Sequence, residues 1–341
     1  MRYDIDRKEL LLFKGFVLEE IRNFFKIKEI PEIRYNQFSF AGSCENAPTT
    51  YWIDKKGEFL MLPQTRQIMA EDDLIRHGFK AVYMMQTSYR DEPRAGDGRH
   101  CNQFLLCEME HKDMSQDELI EFEIDMLMYM ISKSLDYFKE HPRLVTKDNI
   151  ARLKYTLEYG VEKVTYTDMI AKLNEKGVSI NWGDDLKSRD EEFICGMHAD
   201  IPIPVVVKDY PEKLKYFNMY LKRDTKGTDR EVVECADLLL PFAGETWGSS
   251  RRENEGKRIR KRFYEGTMYQ QLRARLEEKI RQDNPEWEEP DVQEGVDDVI
   301  KTAFEPYFKL FDKEPHDRAG FGMGVGRLAQ FLLGRTTIVE M

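Results

Sequence analysis

Two apolar runs, Ala81-Val82-Tyr83-Met84-Met85 and Phe104-Leu105-Leu106-Cys107-Glu108-Met109-Glu110, are joined by the turn-rich stretch Pro93-Arg94-Ala95-Gly96-Asp97-Gly98. Short apolar runs bounded by turn residues predict strands, and this connection suits an antiparallel hairpin. Around the hairpin, strand-like runs are interrupted by helical blocks without regular β-α-β alternation, so the expected class is α+β, an antiparallel β-sheet flanked by helices.

The helical blocks are legible from their period. Residues 8 to 26 place Leu10, Leu11, Leu12, Phe16, Val17, Ile21, Phe24 and Phe25 on a stripe, and Pro31 marks an exit into extended structure. Helical periodicity returns at 116–139, 147–159 and 166–176, and 252–282 reads as a highly charged helical stretch. Asp283 to Glu294 reads as a polar linker, and Val296 to Phe311 as a last helix before the glycine-rich segment Gly320 to Gly326. Further strands are expected at Phe59–Leu62, Pro202–Val207 and Ala236–Leu240. The expected organisation is a single domain over 1–341 with a charged helical insertion at about 252–300.

Composition narrows the class. With 341 residues, 41% of them hydrophobic, the chain can bury a sizeable core. No run approaches a membrane span and the first residues are charged, so a cytoplasmic location is expected. The five cysteines are odd in number and never form a C-x-x-C pair, which argues against a disulfide framework or a zinc site. A net charge of −11 argues against sequence-indifferent binding to phosphate backbones as the main task.

Chemistry concentrates at Ser88-Tyr89-Arg90-Asp91-Glu92 and Arg99-His100-Cys101-Asn102-Gln103-Phe104. A strand ending in Arg and Glu, a basic loop and a return strand opening on an aromatic can surround a nucleotide. The Arg90 fork can grip an α-phosphate, Arg99 and His100 can reach the outer phosphates, and Phe104 can stack on a base. The competing reading is a surface hairpin laced with ion pairs. The chain has no G-x-x-x-x-G-K-[ST] loop, so ATP use would rest on another fold.

The Arg-x-Glu, loop, Arg-His, Phe order resembles motif 2 of class II aminoacyl-tRNA synthetases. Gly320-Phe321-Gly322-Met323-Gly324-Val325-Gly326-Arg327 resembles their motif 3. Gln64-Thr65-Arg66-Gln67-Ile68-Met69-Ala70-Glu71 is similar to the amino-acid-binding segment of the aspartyl and asparaginyl members, with Ala70-Glu71 in the asparaginyl form. Asp237 to Glu253 resembles the asparaginyl segment with magnesium-binding carboxylates and a substrate-binding Arg. The resemblance covers most of residues 10 to 335. It implies ATP binding by Arg90, Glu92, Arg99, His100, Phe104, Gly322, Gly324 and Arg327, with Arg90 and Arg327 catalytic. It further implies Mg²⁺ at Asp237 and Glu245, a substrate ammonium at Glu45 and Gln67, a substrate carboxylate at Arg252, and an amide or incoming ammonia at Glu71. The class usually pairs through motif 1, so a homodimer is expected.

Motif 1 would be the helix at 8–26, which leaves no room ahead of it for the OB-fold that reads the anticodon in this branch. The resemblance therefore points to the asparaginyl-synthetase-related asparagine synthetases, which activate aspartate with ATP and release the amide with ammonia. An asparagine- or aspartate-tRNA ligase lacking the anticodon module is the alternative, with Gly256-Lys257-Arg258-Ile259-Arg260-Lys261-Arg262 as possible phosphate contacts. A catalytically inert paralogue is a third reading, opposed by the joint presence of Arg90, Glu92, Glu245 and Arg327.

Overall fold

The computed structural model describes residues 6–36, 47–53, 55, 58–197 and 200–338. Helices are α1 (Arg7–Ile27), α2 (Gln67–His77), α3 (Gln116–Glu140), α4 (Lys147–Tyr159), α5 (Tyr166–Glu175), α6 (Ser188–Gly196), α7 (Gly256–Glu265), α8 (Thr267–Asp283), α9 (Glu289–Phe308) and α10 (Val325–Leu333). Strands are β1 (Ala81–Tyr89), β2 (Gln103–Lys112), β3 (Glu162–Thr165), β4 (Val205–Lys208), β5 (Cys235–Leu240), β6 (Gly244–Arg251) and β7 (Arg318–Gly324). They form one seven-stranded sheet in the order β1-β2-β7-β6-β5-β4-β3. Every neighbouring pair is antiparallel except β3 with β4. The expected α+β architecture, an antiparallel sheet flanked by helices, is what the chain forms.

The period-2 rule decides which face of the sheet is core. In β7, Ala319, Phe321 and Met323 point into the main apolar cluster, while Gly320, Gly322 and Gly324 face the other way. Cys107 and Met109 of β2 join the same cluster beneath α1 and α3, and Leu106, Glu108 and Glu110 share the glycine face. On the core side, Phe13, Val17, Ile21, Phe24 and Phe25 are the buried stripe of α1. Leu11 and Leu12, expected on that stripe, are 54% and 53% exposed, because Phe13 takes the inward position.

Several expected boundaries shift for local reasons. Phe59–Leu62 is not a strand; among the described residues this segment makes one antiparallel bridge, Trp52 to Met61. The strand expected at Pro202 begins at Val205, since prolines donate no ladder hydrogen bond. The charged helical stretch breaks at Gly266, where a Cβ would lie 2.8 Å from the Arg262 carbonyl oxygen. Helix α9 starts at Glu289, within the expected linker, with Pro290 in its first turn, where a missing N–H costs nothing. Helices α7 to α9 share a second apolar cluster that includes Ile259, Phe263, Leu272, Leu276, Val296 and Phe304. Among the described residues no helix is long and apolar enough to cross a membrane. Cys101, Cys107, Cys195 and Cys235 are free thiols, and Cys44 lies outside the described residues.

Candidate active site

The glycine face of the sheet is the floor of a cleft of about 1020 Å³. Strand register sets one row of residues side by side: Glu108 of β2, Gly322 of β7, Gly248 of β6 and Asp237 of β5. Two glycines between two carboxylates leave a trough in which a ligand can lie directly on the backbone. The next row inward runs Glu110, Gly320 and Ser250, and Leu106 with Gly324 lies on the opposite side. Phe104 is four residues from Glu108 along β2, about 13 Å at strand rise.

At that outer end the hairpin supplies the nucleotide-type groups. The Arg90 guanidinium lies 5.4 Å from the Phe104 ring centroid. Arg90 takes its place because its backbone N–H donates to the Asn102 carbonyl at 2.9 Å, closing the hairpin just past β1. Arg99 donates to Glu191 of α6 at 2.6 Å and to the Ser188 carbonyl at 3.3 Å, so the loop is tied to the cleft wall. His100 shares a 2.8 Å hydrogen bond with Asp97, which also accepts the backbone N–H groups of Arg99 and His100. Those backbone and imidazole contacts lower the Asp97 pKa to about 2. Arg327, in the first turn of α10, donates to the Glu245 carbonyl across the cleft.

The residues expected to bind ATP, namely Arg90, Glu92, Arg99, His100, Phe104, Gly322, Gly324 and Arg327, all line this one cleft. So do Gln67, Arg252, Asp237 and Glu245. Glu45 lies outside the described residues. Glu71 stands behind the wall: it is fully buried and does not line the cleft.

Asp237 and Glu245 both approach Gly248, where a Cβ would lie 3.1 Å from Glu245 Oε1 and 3.9 Å from Asp237 Oδ1. Two hard carboxylates on one stretch of the cleft floor are the ligand type that Mg²⁺ takes alongside phosphate and water oxygens. Among the described residues no group of three or more His, Cys, Asp or Glu side chains is placed to hold a metal ion. Lys215, which residue type alone did not single out, donates to both Asp237 oxygens at 2.9 and 2.6 Å. Its ammonium is a resident cation beside the pair. Burial raises the Asp237 pKa to about 6, against the pull of Lys215.

At the inner end Arg252 donates to Glu110 from Nη2 at 2.5 Å and from Nε at 3.3 Å, and to Ser250 Oγ from Nη1 at 2.6 Å. Burial raises the Glu110 pKa to about 7, and the guanidinium opposes it. Glu108 lines the trough between the two ends, accepting the Arg66 backbone N–H at 3.0 Å and the Gln86 amide at 2.6 Å. The arginines of the basic run of α7, by contrast, are held by acidic partners of the same chain. Arg258 pairs with Glu255 at 2.9 Å, Arg260 with Asp312 at 2.5 Å, and Arg262 with Glu212 at 2.7 Å.

The family model described as tRNA synthetases class II (D, K and N) matches residues 4–341. The asparagine–tRNA ligase of Thermococcus kodakarensis is 26% identical over 295 residues, 86% of this chain and 58% of that one. That of Mycoplasmopsis pulmonis is 30% identical over 269 residues, 75% of this chain and 50% of that one. The chain thus spans between half and two thirds of the length of these relatives. The asparaginyl-tRNA synthetase of Pyrococcus horikoshii, solved in complex with asparaginyl-adenylate, superposes with a TM-score of 0.77 at 23% identity, covering 96% of this chain and 66% of that one. The Entamoeba histolytica asparaginyl-tRNA synthetase with the same adenylate gives 0.71 at 20% identity, covering 97% and 65%. Both share the sheet and helix arrangement described above. By the family match over nearly its whole length, the chain belongs to the class II tRNA synthetases of the aspartate, lysine and asparagine group.

Proposed function

We propose that this chain is an AMP-forming ligase that activates a four-carbon amino acid, aspartate or asparagine, as its acyl-adenylate. The observation that carries the reading is the glycine-floored trough with Arg90 and Phe104 at one end and Gln67 and Arg252 at the other. An aromatic and a guanidinium at one end suit a nucleotide, and a second guanidinium and an amide at the other suit a small amino acid.

In this reading one carboxylate oxygen of the amino acid attacks the α-phosphorus of ATP. The bond from that phosphorus to the bridging oxygen breaks, and pyrophosphate leaves with the electron pair. Arg90 stabilises the charge gathering on the α-phosphate, and Phe104 carries the base. Gln67 accepts from the substrate ammonium through its Oε1, and Arg252 donates to the far end of the amino acid. Mg²⁺ held by Glu245 and Asp237 would supply positive charge against the departing phosphates. Holding the two substrates in line converts an encounter into an intramolecular step.

The adenylate carbonyl is then attacked by a nucleophile, which loses a proton as AMP departs. Kinship with asparagine–tRNA ligases favours a tRNA 3′ hydroxyl as that nucleophile. Ammonia, giving the free amide, is the second reading. It is supported by α7, whose arginines hold acidic partners of the same chain instead of offering a phosphate-binding face. Amino-acid-dependent ATP–pyrophosphate exchange tests the first step, with strict dependence on Mg²⁺ and amino acid expected. No exchange with any amino acid would refute it. Added ammonium yielding asparagine, or added tRNA becoming charged, decides the acceptor.

A further inference from the structure

Arg152 of α4 is 4% exposed, and among the described residues no carboxylate pairs with it. Its Nε donates to Asn149 Oδ1 at 2.9 Å and its Nη2 to the Phe331 carbonyl at 2.6 Å, while its buried Nη1 has no partner among the described residues. Asn149 donates in turn to the Leu332 carbonyl at 2.7 Å. Both carbonyls belong to the last turn of α10, where a helix leaves such groups open and favours positive charge. The chain leaves α10 through Gly334, at φ 67°, where a Cβ would lie 2.5 Å from Asn149 Cγ. Helix α4 thus closes the C-terminal end of the helix whose first turn carries Arg327.

Capping accounts for the donors but not for the charge. A buried cation without an anion is costly, and a neutral amide could serve the same carbonyl. Two aromatic faces meet the charge instead: the Arg152 guanidinium lies 4.2 Å from the Phe331 ring centroid and 5.3 Å from that of Phe242. The rings belong to different elements, Phe331 to α10 and Phe242 to the turn between β5 and β6. Phe242 holds φ at 69°, a left-handed conformation that bulky residues avoid unless their surroundings impose it. Its carbonyl accepts the Gln330 amide at 2.9 Å. Arg327, Gln330 and Phe331 share one face of α10. That face is fastened to the β5–β6 hairpin along its length: Arg327 to the Glu245 carbonyl, Gln330 to the Phe242 carbonyl, and Phe331 through Arg152 to the Phe242 ring.

We propose that Arg152 is a positioning residue for the nucleotide end of the cleft: held between the Phe331 and Phe242 rings, it fixes α10 against the β5–β6 hairpin and so fixes where Arg327 points. The proposal rests on the adenylation reading, in which Arg327 meets the phosphates of ATP. Neither Arg152 nor Phe242 lines the cleft, so their effect on the reaction runs through α10 and the hairpin. Phe331 is four residues from Arg327, about 6 Å of helix rise, so a tilt allowed at one end is carried to the other by a single rigid turn.

Pyrophosphate exchange by the full chain tests it, with KM taken separately for ATP, for pyrophosphate and for whichever of aspartate and asparagine the parent activates. In Arg152→Met the KM values for ATP and pyrophosphate should rise about tenfold, the worth of one contact to a charged group, while that for the amino acid stays within about twofold. Arg152→Lys keeps a charge but loses the planar fork that stacks and donates at once, so it should fall between the two. Phe242→Leu removes one ring at a position that is 36% exposed and leaves Arg152 and its cap in place. It should shift the same two constants by a smaller factor, and Phe242→Tyr, which keeps a ring, should match the parent. A merely structural role would lower kcat through loss of folded enzyme and leave all three KM values in place. That result, a rise shared by the amino acid, or phosphate constants unmoved in Phe242→Leu overturns the proposal while leaving adenylation standing. Should Arg152→Met fail to fold, the two Phe242 variants decide it. A parent chain that shows no exchange with any amino acid refutes the adenylation reading, and the proposal falls with it.

Discussion

Breaking the Glu110–Arg252 pair from its acidic side strands a guanidinium that is 3% exposed, with Ser250 Oγ as its remaining side-chain partner. A guanidinium does not shed its proton, so Glu110→Met should cost the full penalty of a broken buried pair, about 3–5 kcal/mol. The basic side differs. Burial already pushes the Glu110 carboxyl up and Arg252 is what holds it down, so with that guanidinium gone in Arg252→Met the carboxyl takes up a proton. The loss at pH 6 should then be about 1–3 kcal/mol, the cost of a neutral group with one lost partner. The double variant replaces two buried charges by apolar side chains and should return to within about 1 kcal/mol of the parent. Urea unfolding followed by tryptophan fluorescence, compared at equal m, measures all three. Losses of this size are a large share of a typical stability of about 5–15 kcal/mol, so the ordering is resolvable. The reasoning fails if Glu110→Met is no more harmful than Arg252→Met, or if the double variant loses the sum of the two.

Two further outcomes follow from single positions. In Gly320→Ala the added Cβ would sit 2.3 Å from the Glu110 carboxyl carbon and 2.3 Å from the Met109 carbonyl oxygen, so β2 and β7 must part. A loss at or above the upper end of overpacking costs, about 3 kcal/mol, is expected, and an unchanged melting temperature would contradict it. Glu123 of α3 is fully buried against β6, and burial raises its pKa to about 8 from the ordinary 4.5. The folded state thus keeps a proton that the unfolded chain releases. The stabilisation is complete below about 4.5 and is lost as pH rises through about 8, a decline that Glu123→Gln should flatten in a denaturation series across that window.

Much of the site was legible because its determinants are local. The hairpin carrying Arg90 and Phe104 follows from two apolar runs and a turn. The glycine-rich segment before Arg327, by contrast, becomes a strand through its pairing with β2 and β6, which its glycines do not announce. Helices α1, α3, α4 and α5 declare themselves by apolar periodicity and, in α3, α4 and α5, by Ser115, Thr146 and Thr165 at their N-caps. Strand β3 and helix α6 went unrecognised because each is short, at 4 and 9 residues, and carries no clear period.

Residue types alone named the cleft but left its charge state open. Glu71 and Arg318 are 247 positions apart, Arg252 and Glu110 142, and Lys215 and Asp237 22. A local pattern reports the period and the turn, since those depend on neighbouring backbone dihedrals. Which cation meets which carboxylate depends on how the sheet is ordered and how α2, α9 and β7 converge.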